Sequence, residues 1–194
     1  METGQLETTQ PQCRATIQEY WREILHDAAS SCSTLDLLDT SRLTLDAPHP
    51  VWVAAGRDSI NTKRAVIQMW LLLGVFNTQE KLFKMKKVKS AVCVLCQSNE
   101  IEDRVHFMLS CSTLADIRDD FLSKLRSIST VVDRYIEVSK YFLLCLLDPF
   151  SPLVPQELRD SWESEDAIYQ ISRNFCFAMH NKRTKIIEAV TQTT

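Results

Sequence analysis

Cys93, Cys96, His106 and Cys111 occur as Cys-x2-Cys-x9-His-x4-Cys within the stretch CVLCQSNEIEDRVHFMLSC. Three thiolates and one imidazole are the donor set of a tetrahedral structural Zn²⁺ site. Four protein ligands close the coordination sphere, so no position is left for a catalytic water. The competing reading makes Cys93 and Cys96 small buried apolar residues near an unrelated histidine. The local composition opposes that reading. Val92, Val94 and Leu95 favour an extended turn at the first pair, and Ser98 and Asn99 supply turn chemistry after it. Ile101, Val105, Met108 and Leu109 fall at helical spacing around His106. The second pair of ligands is therefore expected where that helix ends.

Directly before Cys93 come Lys81, Lys84, Lys86, Lys87 and Lys89, with no acid among them. They fit either a solvated helix face or a phosphate-contacting patch whose affinity depends on salt and not on sequence. Lysines there would also help keep three thiols ionised around a dication. A second basic group, Arg173, Lys182, Arg183 and Lys185, lies on the last helical pattern, where cations also complement a helix dipole. Phe83 and Phe107 could stack on bases, but at helical spacing both are expected in the core. Glu100, Glu102 and Asp103 make the loop between the ligand pairs acidic. It would repel phosphate, so nucleic-acid contacts are expected on Lys84, Lys86, Lys87, Lys89, Lys182 and Arg183.

The elements that must hold these residues read as helices almost throughout, giving a mostly α fold with a small inserted Cys-Cys-His-Cys zinc module. Residues 14–30 put Ile17, Tyr20, Trp21, Ile24, Leu25 and Ala28 on one face. Leu35–Leu38 reads as a short helix. Leu43 to Trp52 reads as a loop, because Pro48 and Pro50 each lack a backbone donor; His49 between them is expected to be a loop residue and not a ligand. Asp58 or Ser59 caps a buried central helix to about Phe76, carrying Val66, Ile67, Trp70, Leu71 and Leu73. Asn77-Thr78 caps the next, with Leu82, Phe83 and Met85. Ser112 or Thr113 caps a helix with the face Leu114, Ile117, Phe121, Leu122 and Leu125. Further helices span about 131–147 and Glu165 to about Ala189, joined by a Pro-containing loop over 148–163. The organisation expected is a disordered 1–12, a helical region 13–90, the zinc module with its following helix over 91–127, and a C-terminal helical region 128–190, with 191–194 disordered.

The ligand spacing departs from the retroviral nucleocapsid knuckle, whose middle spacer is shorter and carries a Gly where Val105 stands here. It is not a two-Cys, two-His finger either. It resembles the cysteine–histidine module at the C-terminal end of non-LTR (LINE-like) retrotransposon reverse transcriptases. The resemblance extends to Pro48-His49-Pro50-Val51-Trp52, the stretch leading to Lys81–Lys89, Cys145-Leu146-Leu147-Asp148-Pro149 and Phe177-Ala178-Met179-His180-Asn181-Lys182-Arg183. It covers roughly residues 15 to 188. It implies a zinc-binding region that helps hold template RNA or target DNA near a polymerase, here without the polymerase domain. Such a chain could also be a remnant of an element, or a fragment that competes with intact ones. The alternative is a zinc-stabilised protein-interaction module with no nucleic-acid role.

Bulk composition narrows the field further. The chain has 194 residues, 45% hydrophobic and 24% charged, with a formal net charge of −3. That is globular composition, and it lacks the overall basic field that would draw a protein onto nucleic acid. The polar start METGQLETTQPQ has no signal-peptide core. Met69–Phe76 and Tyr141–Leu147 are too short to span a bilayer. Seven cysteines without a secretion signal imply a reducing, intracellular compartment, with Cys13, Cys32, Cys145 and Cys176 as free thiols, mostly in the core. Lys86-Lys87-Val88-Lys89 matches a minimal nuclear-import pattern. Enzyme signatures fail. Ile117-Arg118-Asp119-Asp120 lacks the aromatic of a polymerase palm, and Asp148-Pro149 has the wrong order for a restriction-like nuclease. No glycine-rich phosphate loop is present, so independent catalysis is not expected.

Overall fold

The computed structural model describes residues 9–43, 47–136 and 138–192. Among these the chain is helical, without strands. Its helices are α1 (Thr9–Ser30), α2 (Pro50–Ala55), α3 (Ser59–Leu72), α4 (Gln79–Lys84), α5 (Ala115–Ile128), α6 (Asp133–Ile136), α7 (Ser139–Leu147), α8 (Gln156–Asp160) and α9 (Glu165–Gln192). Residues 1–8, 193 and 194, expected to be disordered, lie outside the described residues.

α3 is the central helix, packed against α2, α7 and α9. It starts where the sequence indicates: Asp58 is the N-cap, and its carboxylate accepts from Asn61 N at 2.7 Å. Ala65, Leu71 and Leu72 are fully buried, yet Trp70 is 46% exposed, so the buried face is narrower than the apolar run. α7 is buried along Phe142–Leu147. Gln68 of α3 donates to Leu147 O at 2.9 Å, satisfying one carbonyl orphaned at the end of α7. A single hydrophobic cluster runs from Leu37 to Met179.

Gly74 turns the chain from α3 towards α4 with φ 63°, and a Cβ there would meet Thr34 O at 2.5 Å. Glycine is needed twice over at this position, for the left-handed backbone and for the close approach. Thr78 then caps α4, its hydroxyl accepting from Lys81 N at 3.3 Å.

Several expectations are corrected. Leu43 to Trp52 is not wholly a loop: α2 begins at Pro50, with His49 as its N-cap, because a proline at the first helical position sacrifices only a donor that is orphaned anyway. The helix expected over 131–147 is two helices, α6 and α7. The 148–163 connection contains α8. Neither Ser112 nor Thr113 caps α5 through its side chain: a 3-10 turn (Ser112–Leu114) leads into the helix, and Thr113 Oγ1 donates instead to Leu95 O at 2.6 Å. Leu35–Leu38 is a 3-10 turn (Ser33–Leu35) followed by the buried Leu37 and Leu38. The first and last helices reach further than expected, to Thr9 and Gln192. Cys145 and Cys176 are core residues, but Cys13 and Cys32 are exposed. The face of α1 is also exposed: Ile17, Tyr20, Trp21, Ile24 and Leu25 all lie in the open.

Candidate metal centre

The ligands come from two small devices. The first is a bent hairpin closed by the bridge between Val92 and Ile101. Cys93 N donates to Glu100 O at 2.8 Å, and Glu102 N to Ala91 O at 2.9 Å. Asn99, at φ 57°, supplies the left-handed residue that turns the loop, which asparagine tolerates better than most side chains. Cys93 and Cys96 sit inside this hairpin.

The second device is a π turn over His106–Ser110. In an α-helix, residues five apart point about 140° away from each other, which would put Cys111 on the wrong side of His106. Here Cys111 N donates to His106 O at 2.8 Å, an i→i−5 bond that closes a wider turn and brings both ligands to one side. The start of the turn is fixed by Asp103, whose carboxylate accepts from His106 N at 2.7 Å.

All four donor atoms lie within 4.8 Å of one another. Cys93 Sγ and Cys111 Sγ are 3.9 Å apart, and Cys96 Sγ is 3.4 Å from His106 Nε2. A tetrahedral ion with metal–sulfur bonds of about 2.3 Å and metal–nitrogen bonds of about 2.0–2.1 Å requires edges of about 3.8 Å for two sulfurs and about 3.6 Å for sulfur and nitrogen. The 3.9 Å and 3.4 Å separations are close to these two edges, and the group can hold a metal ion. His106 Nδ1 lies 2.8 Å from Glu100 Oε2. Donation from Nδ1 to that carboxylate leaves Nε2 unprotonated and aimed at the metal position, the usual carboxylate–histidine support of a metal site.

The thiols differ in readiness. Burial chiefly pushes Cys93 up to about 12, and burial also raises Cys111. At Cys96 burial acts upward too, but hydrogen bonds from the Ser98 hydroxyl and backbone, with those to Cys93 and His106, outweigh it and bring the thiol down to about 6. Ser98, and not the preceding lysines, is the near group that stabilises this thiolate.

Each acid of the loop expected to repel phosphate has a structural partner. Glu100 orients His106 and Asp103 caps the π turn. Glu102 is fully buried. Arg183 grips it with two parallel bonds, Nε to Oε1 at 2.8 Å and Nη2 to Oε2 at 2.9 Å, while Oε2 also accepts from Gln79 N at 2.8 Å. One carboxylate thus ties the hairpin to α9 and to the start of α4. The Arg183 guanidinium also lies 5.7 Å and 5.9 Å from the ring centres of Phe76 and Phe107, which stack on each other at 5.1 Å.

The candidate nucleic-acid residues therefore separate. Arg183 is buried and occupied, which corrects its assignment to a phosphate-contacting surface. Lys182 donates to Asp116 at 2.6 Å, and Lys84 to Glu80 at 2.5 Å. Lys81 donates to Gly74 O at 2.9 Å. Lys86, Lys87 and Lys89 are exposed and lie beyond the end of α4, so they do not form a helix face; among the described residues their ammonium groups have no bonded partner. Phe107 is core as expected, while Phe83 is 48% exposed.

The sequence reading missed one cluster entirely. Asp148, fully buried, accepts from Arg42 Nη1 at 2.8 Å and from the Tyr169 hydroxyl at 3.0 Å, and His49 Nε2 lies 3.4 Å away. Two of the landmarks behind the family resemblance, Pro48–Trp52 and Cys145–Pro149, meet here. No motif connects these positions along the chain. The hint available was an acid at the end of the apolar run 141–147.

No family model matches this chain, and neither the curated proteins nor the solved structures searched contain a match. Among the described residues, no helix is long and apolar enough to cross a membrane.

Proposed function

We propose that the ion is one structural Zn²⁺ and that the domain is a zinc-stabilised accessory module that holds RNA or DNA without performing chemistry. The observation that carries the metal reading is the convergence of the Cys93, Cys96, His106 and Cys111 donor atoms within 4.8 Å, with Glu100 supporting His106. Four protein ligands leave no open position for a reacting water. Zn²⁺ supplies the fixed crossing of hairpin and π turn, while the chain's own residues orient it. The nucleic-acid reading rests on Lys86, Lys87 and Lys89, three unneutralised cations on a turn just before the first ligand pair, and on the resemblance to the C-terminal region of LINE-like reverse transcriptases. Under this reading the module docks beside a polymerase domain and works inside the cell, the nucleus included. Lys84 and Lys182 contribute less, being paired already, and the buried Arg183 takes no part.

A filter-binding series against RNA and duplex DNA at several salt concentrations tests this. Removing three phosphate contacts should flatten the slope of log affinity against log salt by about 2–3. The reading fails if Lys86→Ala, Lys87→Ala and Lys89→Ala together leave affinity and slope unchanged. Zinc is tested separately, by about one equivalent in the purified protein and its loss in Cys96→Ser. A second reading, a zinc-stabilised protein-interaction module, is favoured by the exposed apolar face of α1.

A further inference from the structure

We propose that Arg64 of α3 and Arg173 of α9 form a binding site for a phosphate-class oxyanion, taken as free phosphate or as the phosphate of a nucleic acid. Among the described residues, the two cations sealed in the interior are Arg183 and Arg173, 7% and 3% exposed. Arg183 is held by Glu102 through two bonds. Arg173 has no such partner. Its Nε and Nη1 are enclosed and make no hydrogen bond. The acid that acts on it, Asp166, is an exposed residue of the same helix and makes no bond to it. A buried charge without its counter-charge is costly, and an apolar side chain of similar volume would fill the space without that cost.

The fold brings this cation a second one. Arg64 is half-buried. Its Nη1 donates to Asn174 Oδ1 at 2.7 Å, and its guanidinium lies 5.7 Å from the ring centre of Phe177. Asn174 and Phe177 follow Arg173 within one turn of α9, so they fix the Arg64 head beside it. The Nε of Arg64 is also enclosed and without an acceptor. Burial pushes the Arg173 guanidinium below its ordinary range; Asp166 opposes this, and the Arg64 charge adds to it. Like charge thus faces like charge, with donors left over on both side chains. That excess identifies the ligand by its chemistry. A cation is excluded by sign. A carboxylate neutralises one guanidinium and leaves the other. A phosphate carries the charge for both and has enough oxygens to accept from two guanidinium forks at once. The anion reaches the pair from the side of the half-exposed Arg64, and Arg173 forms the floor. The site shares no residue with Lys86, Lys87 and Lys89 and does not rest on their role.

Calorimetric titration of the full chain with inorganic phosphate, at constant chloride, tests this. Saturable binding is expected, with a thermal midpoint that rises over the same range of phosphate, about 0.1 to about 20 mM. Arg173→Met should abolish the binding. Without phosphate it should be at least as stable as the parent, since an unpaired buried charge has been removed. Arg64→Gln, at a half-exposed position, should fold like the parent and weaken phosphate binding about 10–100-fold. A parent that shows no saturable binding, or either variant binding phosphate as tightly as the parent, would overturn the proposal. So would an Arg173→Met protein less stable than the parent in phosphate-free buffer, because the arginine would then have an internal role. Lys86→Ala, Lys87→Ala and Lys89→Ala together should leave phosphate affinity unchanged; its loss there would move the anion to the lysines and overturn the arginine site. Filter binding then reads the source of the phosphate. Arg64→Gln should reduce the slope of log affinity against log salt by about 1 if the site takes a nucleic-acid phosphate, and leave it unchanged if it takes a free anion.

Discussion

Replacing Arg183 with methionine separates a structural role from a nucleic-acid role at one residue. The change removes the bidentate partner of Glu102 while keeping an unbranched apolar side chain beneath Phe76 and Phe107. Glu102 is fully buried and would keep only the Gln79 N–H at 2.8 Å. Leaving a buried carboxylate without its cation costs about 3–5 kcal/mol. That is a large share of the roughly 5–15 kcal/mol that holds a domain of ordinary stability. Urea unfolding followed by tryptophan fluorescence should show a lower midpoint with a similar slope. Glu102→Gln added to Arg183→Met should recover much of the loss, because an amide needs no counter-ion and still accepts from Gln79; the double-mutant cycle should give a coupling of about 2 kcal/mol or more. The reasoning is refuted if Arg183→Met moves stability by less than about 1 kcal/mol while flattening the salt dependence of nucleic-acid binding. Arg183 would then reach phosphate and not Glu102.

Asp148 gives a pH prediction. Burial alone would raise its carboxyl, but His49, the Arg42 charge and the Tyr169 hydroxyl hold it below the usual carboxylate range. A depressed folded-state value means the stabilisation is fully present above the unfolded value near pH 4 and is lost as pH falls through the folded one. Asp148→Asn should therefore lower stability at neutral pH, with a flatter acid limb in urea titrations; an acid limb identical to the parent's would contradict this. Gly74→Ala should cost about 1–2 kcal/mol from the left-handed backbone alone, and more from the approach to Thr34 O at 2.5 Å; a thermal midpoint equal to the parent's would refute the turn geometry. Glu100→Ala removes the acceptor from His106 Nδ1 and should weaken metal affinity about 10–100-fold, read by competition with a chelating dye; unchanged affinity would mean that Glu100 does not orient the ligand.

The candidate metal cluster was legible because its four residues are near neighbours in the chain and their donor chemistry permits few uses. The capping of α3 by Asp58 and of α4 by Thr78 was legible for the same reason, since a cap acts within one turn. The turn at the first cysteine pair followed from local turn chemistry, but its closure into a hairpin through Ile101, which the sequence placed at helical spacing, did not. The π turn did not, because helical spacing around His106 does not distinguish an α from a π register; only the bond from Cys111 N to His106 O does.

What the sequence determined by itself was the helical class, the four candidate ligands and the run of lysines, all of them properties of residues close along the chain. Tertiary structure decided which charges are available. Arg183 looked like Lys86 in the sequence, yet it turns inward onto an acid 81 positions away. Asp148 and Arg42 meet across 106 positions. A buried charge is tolerated only where the fold brings it an opposite one, and that pairing has no signature at either site. Exposure was likewise decided by the fold. The stripe of α1 and the face of α3 carry the same helical period, and only the presence of α2, α7 and α9 around α3 buries one and leaves the other open.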